Sequence, residues 1–158
     1  MADYGFRPVT GADLPMLADW LRQPGVAHWW GGPDRQIALI REEGAEPGLH
    51  QVIATLDRAP LGYGQYYPAH RWPAPHLAHL PPETIAIDVF SGPQGWGQGG
   101  AWLRALGDLL LARVPVLAID PDPANTRAIR AYEKAGFAGT ALGRDGAGRT
   151  VRIMTRRR

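Results

Sequence analysis

Gln94-Gly95-Trp96-Gly97-Gln98-Gly99-Gly100 decides how this chain is read. Before it, Thr84 to Val89 has the composition of a strand. After it, Trp102, Leu103, Leu106, Leu109 and Leu110 recur at helical spacing, which predicts a helix from Gly99 to Arg113. A glycine-rich turn between a strand and a helix leaves backbone N–H groups available, and the helix N-terminus behind them adds positive potential. Such a turn suits an anion, and a pyrophosphate is the expected guest. Gly92, Gly95, Gly97, Gly99 and Gly100 are more glycine than a tight turn requires, because each costs backbone entropy. A turn that is merely tight is the alternative.

Working outward toward the N-terminus, Pro68 to Pro82 is too rich in proline for a helix or a central strand. Leu61 to Tyr67 and Gln51 to Leu56 read as strands, joined into a hairpin by Asp57-Arg58-Ala59-Pro60. Pro33-Asp34 opens a short helix through Glu43, with Ile37 and Ile40 inward. An earlier helix carries Leu14, Leu17, Ala18 and Leu21 on one face. It is introduced by Thr10-x-x-Asp13 and stopped by Pro24-Gly25. Tyr4 to Val9 reads as a strand. Toward the C-terminus, Val116 to Ile119 is a strand, and Asn125 caps a helix that ends at Gly136, a residue suited to the left-handed C′ position. Phe137 to Leu142 and Thr150 to Thr155 are expected to pair around Asp145-Gly146-Ala147-Gly148. The fold class is therefore α/β of the α+β kind: one strand–helix–strand unit inside a mixed, mostly antiparallel sheet.

The chain has 158 residues, of which 45% are hydrophobic, so a single domain over 1–158 with a packed core is expected. The absence of cysteine excludes disulfides, thiolate metal sites and cysteine nucleophiles. No apolar run approaches the roughly 20 residues needed to span a bilayer. Met1-Ala2-Asp3-Tyr4-Gly5-Phe6-Arg7 lacks a basic stretch followed by an apolar one. A cytoplasmic protein without a membrane partner is expected. The net charge is only +2, and Arg152, Arg156, Arg157 and Arg158 do not extend into a basic stripe. They read as a solvated tail rather than a nucleic-acid contact. His70, His76 and His79 lie in the proline-rich loop with no nearby carboxylate before Glu83, so no metal is expected there. That loop is expected to be solvated or to touch substrate.

Three phosphate-binding patterns compete at the glycine turn. Gly95-x-Gly97-x-x-Gly100, followed by Asp120 at a strand end, matches the dinucleotide fingerprint. That fold needs several further strand–helix–strand units, and too little chain follows Asp120. The Walker loop is excluded, since no Gly-Lys-Ser/Thr follows. Gln94-x-x-Gly97-x-Gly99 instead resembles the pyrophosphate loop of the GNAT acetyltransferases, written Gln/Arg-x-x-Gly-x-Gly/Ala. The run from Asn125 through Tyr132-Glu133-Lys134-Ala135-Gly136-Phe137 is similar to the second cofactor block of that superfamily, in the right order and one strand later. More narrowly, His28-Trp29-Trp30-Gly31-Gly32, Ala86-Ile87-Asp88 and Asp120-Pro121-Asp122-Pro123-Ala124-Asn125-Thr126-Arg127-Ala128-Ile129-Arg130 resemble elements of the aminoglycoside 6′-N-acetyltransferases. Siderophore-biosynthesis acyltransferases share parts of this pattern.

The resemblance implies a GNAT fold, acetyl-CoA as cofactor and a small-molecule amine as acceptor. It implies cofactor contacts from Val89, Gln94, Gly95, Trp96, Gly97, Gln98, Gly99, Gly100, Asn125 and Arg130. Acetyl transfer to an amine requires a neutral amine, a stabilised oxyanion and a protonated leaving thiolate. The resemblance places Asp88 on the amine side, as base or as ion partner, and Tyr132 at the thioester sulfur as proton donor. It offers the Val89 N–H for the oxyanion. Trp29 and Trp30 are read as a flat wall for a sugar or a cation, or as core. Asp120 fits an acidic substrate pocket, and Asp122 is read as a turn residue. One stretch departs from the aminoglycoside family: between Asp57 and Glu83, where that family is acidic, there is no acid and Arg71 adds positive charge. Acylation of another amine or hydroxylamine, such as a siderophore precursor or a protein N-terminus, therefore stays open. So does a module that binds acyl-CoA without turnover.

Overall fold

The computed structural model describes residues 2–158. In chain order it has β1 (Tyr4–Pro8), α1 (Leu14–Arg22), α2 (Pro24–Trp30), α3 (Pro33–Glu43), β2 (His50–Leu56), β3 (Ala59–Pro68), β4 (Ile85–Ser91), α4 (Gly99–Leu111), β5 (Val116–Ile119), α5 (Thr126–Lys134), β6 (Leu142–Arg144), β7 (Thr150–Arg152) and β8 (Met154–Arg157). Six strands form one sheet in the order β1-β2-β3-β4-β5-β8, and β6 pairs with β7 apart from it. β1 and β2 are antiparallel, as are β5 and β8, while β4 and β5 run parallel around α4. This is the mixed, mostly antiparallel sheet expected. One parallel pair is far from the doubly wound sheet that a dinucleotide fold requires.

The chain divides into two compact units. The first runs up to Gln65 and adds Val89–Gly97; the second takes Tyr66–Asp88 and Gln98–Arg158. In the first unit, β1 pairs β2 from Tyr4 opposite Leu56 to Pro8 opposite Val52. The β2–β3 turn is tighter than expected. Asp57 and Arg58 both have positive φ, 48° and 73°, and Ala59 and Pro60 already belong to β3. Two positive φ angles are the mark of the hairpin turn whose twist matches its strands. Asp13 begins the helical stretch by accepting the Thr10 N–H at 2.8 Å and both terminal nitrogens of Arg7 at 2.8 and 2.9 Å. The Arg7 contact holds its carboxyl down at about 2.

Pro24-Gly25 does more than stop α1. Gln23 is extended, with φ −62° and ψ 133°, and Pro24 opens α2 at its first position, where the missing N–H would have no partner anyway. The extra helix carries Trp29 and Trp30. Leu17, Trp20, Leu21, Val26, Ile40, Ile53, Tyr63 and Phe90 form the core of this unit, with Trp30 packed against it.

In the second unit, Trp102, Leu103 and Leu106 bury one face of α4, but Leu109 is 60% exposed and the helix ends at Leu111 rather than Arg113. α5 follows expectation at both ends. Asn125 Oδ1 accepts from the Ala128 N–H, and Gly136 takes φ 98°. The C-terminal hairpin differs. Phe137 to Ala141 is not a regular strand: it makes an isolated bridge, Ala138 with Thr155, and a bond from the Ile153 N–H to the Ala141 carbonyl, with Gly139 between them turning the chain at φ 141° close against the Ile153 carbonyl. β6 and β7 pair further out, and β8 joins the main sheet. The terminal arginines are accordingly only partly a solvated tail: Arg157 and Arg158 are exposed, but Arg156 and Arg158 bond back to the fold. The Arg156 side chain is 14% exposed and bonds Asp108 and the Arg104 carbonyl, and Arg158 Nε donates to the Leu111 carbonyl at 2.8 Å. Among the described residues no helix is long and apolar enough to cross a membrane.

Candidate active site

β4 carries Ala86 and Ile87 into the core and leaves Asp88 half-buried beyond them. Within the second unit, the Tyr67 hydroxyl at the end of β3 donates to Asp88 Oδ2 at 3.1 Å. Asp120 follows the last residue of β5 and meets His76 from the proline-rich loop, with Nε2 2.8 Å from Oδ2. Tyr132 comes from α5. Burial pushes its phenol well above the ordinary value of 10.0, and the carboxylates of Asp88 and Asp120 push it the same way. One unit thus brings together a phenol that stays protonated at neutral pH and two carboxylates. Burial also raises the Asp120 carboxyl; the hydrogen bond from His76 opposes that shift, and Asp145 adds to it.

Two of the three loop histidines bond to protein groups. His70 Nε2 lies 3.1 Å and 3.0 Å from the carbonyls of Leu80 and Pro81. The His76 side chain is 5% exposed, and His79 is exposed. The expectation of a solvated loop therefore fails at His76, whose flanking Leu77 and Leu80 join a core cluster with Ala86 and Ala118. Tyr67 and His76 were both missed as site residues. Tyr67 shares a strand face with Tyr63 and Gln65 at two-residue spacing, a pattern that could have pointed to it. For His76 no local signal exists.

The glycine turn divides by purpose. In the first unit, a Cβ on Gly95 would fall 2.1 Å from the Leu61 carbonyl oxygen, and one on Gly92 2.4 Å from the Trp20 ring. In the second unit, a Cβ on Gly100 would fall 2.9 Å from the Ala131 carbonyl oxygen, where α4 meets α5. These three glycines are required by packing. Gly97 is different: its φ is 82° and nothing lies within 4 Å of a Cβ there. The surplus of glycine is thus only partly a matter of ligand approach. At the start of α4, Gln98 supplies no side-chain cap, and no acidic residue stands in the first turn. Its leading N–H groups suit an anion, and the positive φ at Gly97 opens the backbone beside them. Gln94 and Trp96 are exposed, Gly95 is buried, and Gln98 and Gly99 are half-buried. We expect Gly95→Ala to lose roughly 1–3 kcal/mol by overpacking, read as a Tm lower by several degrees. Gly97→Ala has open space but must hold φ 82°, so it should lose about 1–2 kcal/mol to backbone strain rather than to overpacking.

Of the remaining residues singled out, Asn125 is committed to capping α5, and Arg130 is exposed on that helix. Val89 is half-buried in β4. Trp30 sets its ring edge-on to Tyr63 and Phe90, with centroids 6.4 and 5.0 Å away, and Trp29 meets His28 at 4.5 Å. Trp30 is therefore partly a core residue. Asp122 Oδ1 accepts from the Ala124 N–H at 2.9 Å, as a turn residue does.

Comparison with known proteins finds relatives over most of the chain. Residues 10–142 match the model of the acetyltransferase (GNAT) domain. The chain is 35% identical to an aminoglycoside N(6′)-acetyltransferase type 1 of Klebsiella pneumoniae, over 89% of this chain and 77% of that one. It superposes on the structure of AAC(6′)-Ib in complex with paromomycin and acetyl-CoA with a TM-score of 0.83 and 32% identity, over 99% of this chain and 94% of that one. The same enzyme in complex with coenzyme A and kanamycin gives 0.82 and 31%, over 99% and 95%.

Proposed function

The chain belongs to the acetyltransferase (GNAT) family, and from that premise we propose that it transfers the acetyl group of acetyl-CoA to the 6′-amine of an aminoglycoside, as a single cytoplasmic domain over 1–158. The observation that supports this reading is that Tyr132, Asp88 and Asp120 lie in one unit, with Asp88 held by the Tyr67 hydroxyl and Asp120 by His76. A protonated phenol is a donor and a carboxylate is an acceptor, which are the two proton roles that acetyl transfer needs.

Acetyl-CoA supplies an activated acyl group. The residues that suit it are the backbone of Gln98, Gly99 and Gly100 at the start of α4, the open backbone at Gly97, and the neighbouring Gln94, Gly95 and Trp96, with Arg130 on α5 and the side-chain N–H of Asn125, whose Oδ1 caps that helix. Asp88 takes the proton of the acceptor ammonium, directly or through water, and Tyr67 orients it. The Val89 N–H receives the developing oxyanion. Tyr132 returns a proton to the departing sulfur. Asp120 pairs with another ammonium of the acceptor, and Trp29 and Trp30 offer ring faces to its sugars.

Thiol release from acetyl-CoA, measured over kanamycin, ribostamycin and a singly charged amine, tests the reading. Kanamycin should be acetylated at its 6′-nitrogen, with affinity falling as salt rises, because screening weakens attraction between a polycation and carboxylates. Turnover of the singly charged amine alone would leave family membership standing and remove the aminoglycoside.

A further inference from the structure

The proline-rich loop sends His76 to Asp120 across 44 residues of sequence, and nothing in the proton transfers above requires it. The ring is 5% exposed and clamped. A Cβ on Gly143 of β6 would lie 2.9 Å from His76 Cβ, so the strand passes directly against it. Nε2 bonds Asp120, while Nδ1 is buried without a hydrogen-bond partner. These facts select one form of the ring. An ionised carboxylate only accepts, so Nε2 carries the proton toward Asp120, and Nδ1, which has no acceptor near it, stays bare. Asp120 then accepts from His76.

We propose that His76 is a positioning residue of the acceptor site: by donating from Nε2 it keeps the Asp120 carboxylate charged and fixed for an ammonium group of a polycationic acceptor. The inference rests on the reading of Asp120 given above. The ionisable groups around the pair are Asp145 beyond β6, Tyr132 on α5 and, past Tyr132, Asp88 on β4. Asp145 is occupied by Arg149, whose Nε lies 3.0 Å away. Burial and Asp145 both push the Asp120 carboxyl upward, and His76 opposes them. Without the imidazole donor the carboxyl would rise further and carry less charge at a given pH. An uncharged carboxyl does not attract ammonium. The loss is therefore greatest at the acid end and closes as pH rises.

The test compares His76→Leu, which removes the donor, with His76→Gln, whose amide N–H extends to about the position of Nε2. Kanamycin binding to the coenzyme A complex is followed by calorimetry between about pH 6 and pH 9, alongside kcat and KM. The Leu variant should bind kanamycin about ten- to a hundredfold more weakly at the acid end. The gap should narrow toward the alkaline end, with kcat at saturating acceptor changing less than KM. The Gln variant should recover most of the affinity. Unchanged binding in the Leu variant overturns the proposal, and so does a Gln variant as weak as Leu, which would reduce His76 to volume. Imidazole ¹⁵N spectra of the wild type decide independently of how the variants fold: a proton on Nε2 with Nδ1 bare is expected, and the reverse tautomer overturns the donor role. Absence of any kanamycin binding by the wild type instead removes the aminoglycoside reading, and the acceptor role with it, while the tautomer still reports on the His76–Asp120 bond.

Discussion

Tyr132→Phe should cut turnover by about 10²- to 10⁴-fold, the usual worth of a general acid, while melting temperature and coenzyme A affinity stay close to wild type. Phenylalanine keeps the ring that α5 contributes and loses only the hydroxyl. Burial, with Asp88 and Asp120 behind it, holds the proton on that hydroxyl well above pH 10.0. The sign matters for the pH profile. A donor whose affinity for its proton is raised remains competent as pH rises, so the wild type should show no loss near neutrality from Tyr132. Its rate should climb as the acceptor amine deprotonates. A falling alkaline limb near neutral pH, or a Phe variant that turns over normally where chemistry limits the rate, would return Tyr132 to a packing role.

Asp88→Asn should lower kcat/KM by a comparable order, roughly 10²-fold or more, with a small effect on stability. The amide has nearly the shape of the carboxylate and can still accept the Tyr67 hydroxyl, which lies 3.1 Å from Oδ2 in the wild type. It neither takes a proton nor attracts an ammonium. Steady-state kinetics separate the two roles. A base lost from the reaction lowers kcat with KM little changed, and the variant should need higher pH. An ion partner lost raises KM and spares kcat, and added salt then brings the wild type toward the variant. Retention of both parameters would place Asp88 outside the reaction.

Much of the frame is legible in the sequence because it is written locally. Asn125 and Gly136 punctuate α5 by capping chemistry that needs only a few neighbours, and Val116 to Ile119 is a strand in both readings. The cofactor turn is legible for the same reason, since strand, glycines and helix are contiguous. Where local signals serve two purposes, the reading slips. Pro24 ends one helix and begins another, and Gly139 diverts a stretch whose composition favours a strand. The candidate site takes its carboxylates and phenol from motif resemblance. Its supporting contacts are not legible, because Tyr67 reaches Asp88 across 21 residues and His76 reaches Asp120 across 44, and no spacing rule links such positions.

The glycines of the cofactor turn have a consequence for how such chains age. Gly92, Gly95 and Gly100 are held by the Trp20 ring, the Leu61 carbonyl and the α5 backbone, so any descendant that still folds this way must retain them, whether or not it still turns over. Gly97 answers to no neighbour, only to its own backbone, held at φ 82° where other residues are strained. In a lineage that abandoned acetyl transfer, drift would reach the hydroxyl of Tyr132 first and Gly97 next, at the cost of backbone strain alone, while the glycine-rich look of the turn survived. A relative with Gly92, Gly95 and Gly100 intact but a bulky residue at the position of Gly97 is thus the signature of an inherited scaffold that has laid down its catalysis.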